Sequence, residues 1–205
     1  IDQVNVAKPV CKKVYTPQTH AELYQNLRNA CQISSQAPAG PVLVEVPVNL
    51  YLFPSEYSEQ ELTFYAEYLA TENLREKILP IAQGLSQAKS VGIYAGWGCT
   101  EATEDLVALA EKLDAIVFTT ISGKGVFPED HPRWVWNTMG NALPKPLQKF
   151  ERELDCLVAI GCRFGEVATA SYGFIPPENL IHIDADEKVF NRNFKARHTL
   201  AADAK

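Results

Sequence analysis

The chain has 205 residues, a mass of 22.8 kDa, 46% hydrophobic and 21% charged residues. That is enough for one substantial core with an appendage and excludes a disordered tail or a small disulfide-stapled peptide. Nineteen Lys+Arg against 25 Asp+Glu give a net charge of -6, the wrong sign for a protein that gains affinity by releasing counterions from a phosphate backbone, so nucleic acid is excluded as a partner.

Leu23, Leu27 and Ala30 recur at helical spacing between His20 and Ile33, which predicts a helix. Pro41 to Val48 then reads as a short, buried, β-branched strand bounded by Ala-Gly-Pro and Asn. Residues 49–70 mix Pro54, Ser55 and Ser58 with aromatics and acids, the composition of a connecting segment and a domain boundary. Thr71 is placed to cap a helix striped by Leu74, Ile78, Ile81 and Leu85. Ser90 to Ala95 is a strand, and Ala102, Leu106, Leu109 and Leu113 stripe the next helix. Ala115 to Thr120 is a second strand, followed by a long loop with Gly123, Gly125, Pro128 and Pro132. A third helix carries Leu147, Phe150 and Leu154; Cys156 to Ile160 and Leu180 to Asp184 are further strands. Short apolar strands alternating with amphipathic helices define an α/β fold, a parallel sheet with helices on both faces.

The five cysteines (Cys11, Cys31, Cys99, Cys156, Cys162) are odd in number and form no C-x-x-C, the pattern of reduced thiols in a cytoplasmic protein. No run approaches the roughly 18 to 20 apolar residues that span a bilayer, and no signal peptide is visible, so no membrane partner is expected. Ile1 in first place and a single methionine, Met139, lead to the expectation of a piece of a longer polypeptide.

Ligands of open parallel sheets bind beyond the carboxyl ends of the strands, and four such ends carry suitable residues. Gly96 and Gly98 flank Trp97, and Thr100 can open a helix whose N–H groups attract anions; a tight strand-to-helix turn explains the same residues. Thr119, Thr120 and Ser122 offer hydroxyls ahead of Gly123-Lys124-Gly125, without P-loop spacing. Gly161, Arg163 and Phe164 follow an apolar strand, where the guanidinium suits a phosphate and the ring a planar ligand, or Arg163 pairs with Glu166. Asp184 and Asp186 stand at a strand tip, placed for ribose hydroxyls, an adenine amino group, or a helix cap. The four histidines have no metal-like spacing and no Ser or Cys partner, and no paired carboxylates lie in an apolar setting. The residues support binding better than catalysis.

Pro41-Val-Leu-Val-Glu-Val-Pro47, Thr119-Thr-Ile-Ser-Gly-Lys-Gly-Val-Phe-Pro-Glu-Asp-His-Pro132, Gly161-Cys-Arg-Phe164, Ile181-His-Ile-Asp-Ala-Asp186 and Asn191-Arg-Asn193 follow one another as in thiamine-diphosphate-dependent enzymes of the acetolactate synthase type. The resemblance covers almost the whole chain. It implies that residues 1–50 are the tail of a pyrimidine-binding domain, 51–70 a linker, and 71–205 a central domain with a six-stranded Rossmann-like parallel sheet of the NAD/FAD-binding type. It also implies that the activating glutamate lies upstream and the Mg²⁺- and diphosphate-binding G-D-G motif beyond Lys205, so this chain would neither hold thiamine diphosphate nor turn over substrate alone. The parent would decarboxylate a 2-oxo acid and pass the fragment to an acceptor. Central domains of this kind hold FAD, hold ADP, or stay empty and pack a homodimer or homotetramer. By the resemblance, Gly96 and Gly98 would approach a pyrophosphate, and Thr119, Thr120, Ser122 and Gly123 would face the flavin. Arg163 would meet phosphate or ribityl oxygens, and Asp184 and Asp186 the adenosine end. Two departures bear on FAD: Trp97 stands inside the glycine loop, and the flavin-side glycine-methionine pattern reads Asn137-Thr-Met-Gly-Asn141. Competing readings are an empty structural module and a free-standing NAD-dependent deacylase. The latter needs a catalytic histidine that neither His131 nor His182 supplies by pattern.

Overall fold

The computed structural model describes residues 1–36, 38–54 and 74–205, and the chain divides into two compact units, Ile1–Ala70 and Thr71–Lys205. In the first unit, α1 (Gln3–Ala7) is capped by Asp2, whose side chain accepts from the Asn5 N–H at 3.0 Å. β1 (Lys13–Tyr15) pairs in parallel with β2 (Val42–Val44), and the connection is α2 (His20–Ser35), opened by the Thr19 hydroxyl accepting from Glu22 N–H. The predicted strand over 41–48 is thus three residues long, because Pro47 cannot donate to a ladder and instead opens α3 (Val48–Leu52). The expected linker lies, from residue 55, outside the described residues, as does the predicted Thr71 cap.

The second unit is a six-stranded, wholly parallel sheet of order β5-β4-β3-β6-β7-β8. The strands are β3 (Val91–Ala95), β4 (Ile116–Thr119), β5 (Trp134–Trp136), β6 (Cys156–Ile160), β7 (Asn179–Asp184) and β8 (His198–Ala201). Every residue of β3 and β6 is buried, as central strands covered on both faces require. Alternation then sorts side chains between two cores. Ile93, Val117, Val158 and Ile181 face one way and pack with Ile81 of α4 (Leu74–Ser86) and with Leu106 and Ala110 of α5 (Thr103–Lys112). Tyr94, Phe118, Leu157 and Leu180 face the other way, onto Met139, Leu143, Leu154, Phe164 and Phe174. That face is covered by the single-turn helices Gly140–Ala142 and Lys145–Leu147 and by α6 (Gln148–Arg152).

Three expectations change in detail. α6 has five residues and no buried one, and Phe150 is exposed, so Leu147 and Leu154 alone of its predicted stripe reach the core. Ile78 of α4 is likewise exposed. Thr100 does not open α5: its hydroxyl accepts no cap bond but donates to Trp97 C=O at 2.5 Å, closing the single turn Trp97–Cys99, and α5 starts at Thr103. No helix among the described residues is long and apolar enough to cross a membrane.

Candidate functional site

In the order β5-β4-β3-β6-β7-β8 the chain winds outward from β3 to one side and from β6 to the other. The topological switch point therefore lies between the carboxyl ends of β3 and β6, where open α/β sheets place their ligands. The loops leaving Ala95 and Ile160 meet there, and the glycines show how closely. A Cβ on Gly96 would lie 2.0 Å from Gly161 O, and one on Gly98 2.7 Å from Gly161 Cα. A Cβ on Gly161 would lie 2.6 Å from Gly98 Cα, and Gly161 also has φ +57°, which favours glycine. Backbone bonds bind the same contact: Gly96 N–H donates to Ile160 C=O at 2.8 Å and Gly98 N–H to Gly161 C=O at 3.2 Å. The loop after β4 joins them. Thr120 N–H donates to Ala95 C=O at 2.9 Å, and Gly123, held by its N–H to Thr120 Oγ1 at 2.9 Å, would bring a Cβ within 2.8 Å of Gly96 C. Three loops thus form one knot, and its glycines are required by loop-on-loop packing.

The remaining candidates divide into inward and outward residues. Thr119 is fully buried with its hydroxyl unpartnered, and Thr120 is buried and spent on Gly123. Phe164, at φ +48°, turns into the core, T-shaped on His182 and Phe194 at 5.0 and 5.3 Å and stacked on Phe174 at 6.3 Å. Ser122 and Arg163 are exposed, and among the described residues Arg163 has no ion pair, with Glu166 or any other acid. The Asp184 carboxylate accepts from Asp186 N–H at 2.9 Å, while Asp186 caps the turn Glu187–Val189 through Lys188 N–H at 3.1 Å. Exposed Trp97 and Ile121 stand on the same knotted loops.

The stretch Gly123 to Pro132 is largely structural. Val126 and Phe127 are buried, His131 packs edge-on against Phe127 at 5.1 Å and approaches Glu111 at 3.4 Å, and Lys124 pairs with Glu129 at 3.0 Å. The Asn137–Asn141 stretch buries Met139 completely and turns at Gly140 (φ +75°), whose N–H donates to Glu151 at 2.8 Å; burial pushes that carboxyl up. These residues border a pocket of about 120 Å³ with Asn141, Arg152 and Gly173.

Sequence reasoning passed over three positioning residues. Tyr94 donates its buried hydroxyl to Ala168 C=O; His182 meets Cys162 C=O at 2.7 Å through Nε2; Asn193 donates to Phe164 C=O at 2.9 Å. Together they fix the loop that carries Arg163. Burial drives the Tyr94 hydroxyl well up and the His182 imidazole down. The Ile181-His-Ile-Asp-Ala-Asp186 and Asn191-Arg-Asn193 matches contained His182 and Asn193 but did not show what they hold.

For a dinucleotide the fit is divided. The free guanidinium of Arg163, the Ser122 hydroxyl and the Asp184 carboxylate suit phosphate and ribose. The knotted glycines, in contrast, offer no bare backbone, since another loop already fills the space at each. Among the described residues no group of three His, Cys, Asp or Glu could hold a metal ion.

A family model for the central domain of thiamine pyrophosphate enzymes matches residues 78–205, most of the chain, and the protein belongs to that family. The probable acetolactate synthase large subunit of Methanocaldococcus jannaschii is 30% identical over 217 residues, covering 100% of this chain and 36% of the relative. The acetolactate synthase large subunit of Haemophilus influenzae is 24% identical over 212 residues (100% and 36%), and the acetolactate synthase of Mycobacterium leprae 26% over 210 (100% and 33%). The chain spans about a third of the length of these curated relatives.

Proposed function

We propose that the chain is the nucleotide-binding and subunit-packing central domain of a 2-oxo acid decarboxylase or carboligase of acetolactate synthase type. It holds FAD, or failing that ADP, at the switch point. The observation that carries this is Arg163: an exposed arginine without an ion pair among the described residues, on a loop fixed from below by His182 and Asn193, at the place where parallel sheets bind ligands. Thiamine diphosphate, held with Mg²⁺, would supply the carbanion chemistry of the whole enzyme. The test is a visible spectrum of the purified protein and thermal melts with FAD, ADP and NAD. A ligand at 100 times its Kd adds about 2.7 kcal/mol to folded-state stability. A flavin band, or a rise with FAD alone, supports the flavin reading; a rise with ADP alone supports the ADP form.

A second reading, a packing module with no nucleotide, is favoured by the mutually filled glycine loops. On that reading exposed Trp97, Ile121, Val167 and Ile175 are contact surface for other subunits in a homodimer or homotetramer. No response to any of the three nucleotides would decide for it.

A further inference from the structure

The strongest unassigned feature lies at the opposite edge of the sheet. Asp155 directly precedes β6, Asn179 is the first residue of β7, Arg197 directly precedes β8 and His198 opens it, so in a parallel sheet all four stand at the amino edge, away from the switch point. With Gln83 and Gly84 from the last turns of α4 they line a cavity of about 390 Å³. That lies within the roughly 300–1,000 Å³ typical of small-molecule sites.

Three of its polar side chains are unspent. Asn179 Oδ1 is buried with no hydrogen-bond partner, an arrangement that costs free energy unless something donates to it. Among the described residues neither the Arg197 guanidinium nor the His198 imidazole has a hydrogen bond or an ion pair. Gly84 leaves the wall of α4 bare toward them: a methyl there would lie 3.8 Å from Asn179 Oδ1 and 3.9 Å from His198 Nε2.

The charges have two signs. Arg197 is a fixed cation. Asp155 is a carboxylate, held by the N–H groups of Lys89 and Ser90 at 2.9 and 3.1 Å, and the carboxyl-terminal end of α4 adds partial negative charge on the same side. A simple anion would meet Asp155 and the helix end, and a simple cation would meet Arg197. We propose that the cavity binds a small zwitterion of the amino-acid class. Its carboxylate takes the fork of Arg197 and its ammonium donates toward the exposed Asp155 carboxylate.

The test is calorimetric titration of the 205-residue chain with L-glutamine, whose amide suits the Gln83 wall, and with two derivatives that each lack one charge, N-acetyl-L-glutamine and L-glutaminamide. Saturable binding of L-glutamine is expected, at least tenfold weaker for either derivative. It should be lost in Arg197→Gln and in Gly84→Leu, which fills the cavity while keeping every charge, and be unchanged in Arg163→Gln. A far-ultraviolet melt confirms that each variant folds; should Gly84→Leu not fold, Arg197→Gln decides. No saturable binding, equal binding of the derivatives, or binding that survives Arg197→Gln would overturn the proposal. None of these results depends on whether the switch point takes a nucleotide, which Arg163→Gln reports separately.

Discussion

Replacing Gly96 by alanine tests the three-loop knot directly. The new methyl would lie 2.0 Å from Gly161 O, 2.7 Å from Gly161 C and 2.8 Å from Cys162 Cα, the first about 1.5 Å short of ordinary contact at roughly 3.5 Å. All three atoms are backbone, so no side chain can swing away. Overpacking of this kind costs typically about 1–3 kcal/mol. Relief requires parting the loops, which stretches the bonds from Gly96 N–H to Ile160 and from Gly98 N–H to Gly161, each worth a net of about 0.5–1.5 kcal/mol. A total of about 2–6 kcal/mol follows, or roughly 12 °C in melting temperature at the middle of that range for a domain of this size. The matched control is Gly165→Ala, where nothing lies within 4 Å and the change should stay within about 0.5 kcal/mol. Differential scanning calorimetry of both variants decides. Should Gly96→Ala melt with Gly165→Ala and the parent, the loops are not packed as described.

Arg163→Gln should abolish the melting-temperature rise produced by FAD or ADP while leaving the ligand-free melt within about 1 °C, because an exposed, unpaired side chain contributes little to stability; an unchanged ligand response sinks its role. Thiol titration should read two fast groups in the native protein, exposed Cys31 and half-buried Cys11, and five after denaturation. Burial pushes Cys99 and Cys162 up to about 12 and Cys156 up to about 11. The unfolded thiols ionise near pH 8.5, so these groups stabilise the fold fully below that pH and progressively less up to pH 11–12. A native count of three or more refutes the assignment. Buried His182 has a lowered pKa, so the unfolded state binds its proton first and stability is lost as pH falls below about 6.5, by up to about 1.4 kcal/mol per pH unit. His182→Leu should flatten that slope in denaturant midpoints, and an identical slope would remove His182 from the account.

What the sequence made legible is what one segment encodes by itself. β3, β4, β6 and β7 are apolar runs because central parallel strands bury both faces, and α4 and α5 announce themselves by their stripes. β5 is three residues, Trp-Val-Trp, inside a loop rich in glycine and proline, and β8 is four residues with His198 at its start; neither is long enough to show a period. The site was legible as a position, since strand tips can be read, but not as an arrangement. Gly96 excludes a side chain because of Gly161, sixty-five positions on, and Phe164 turns inward because Phe174, His182 and Phe194 converge on it. The amino-edge cavity was invisible for the same reason: Gly84, Asn179 and Arg197 mean nothing in their own neighbourhoods.

The first unit yields the remaining expectation. Two strands of three residues are marginal as a sheet, and α2, which contributes no buried residue, cannot supply a core for them. β1 and β2 pair with each other and, among the described residues, with no third strand, so each keeps one open edge of the kind that recruits further chain. Beside them Val48, Tyr51, Leu52 and Phe53 are each more than half exposed on α3 and its end, which is held to α2 by His20 Nε2 meeting Phe53 C=O at 2.9 Å. Burying an aliphatic or aromatic side chain is worth about 1.5–3 kcal/mol, so two or three of these contacts outweigh a substantial part of the entropy cost of association. Light scattering on a sizing column, well above micromolar protein, should therefore give a mass at least twice 22.8 kDa. Leu52→Lys with Phe53→Lys should weaken that association by at least tenfold, since each lysine would have to be desolvated in the contact. A monomer at every concentration removes the expectation. An oligomer indifferent to both lysines places the contact elsewhere and refutes the reasoning from α3.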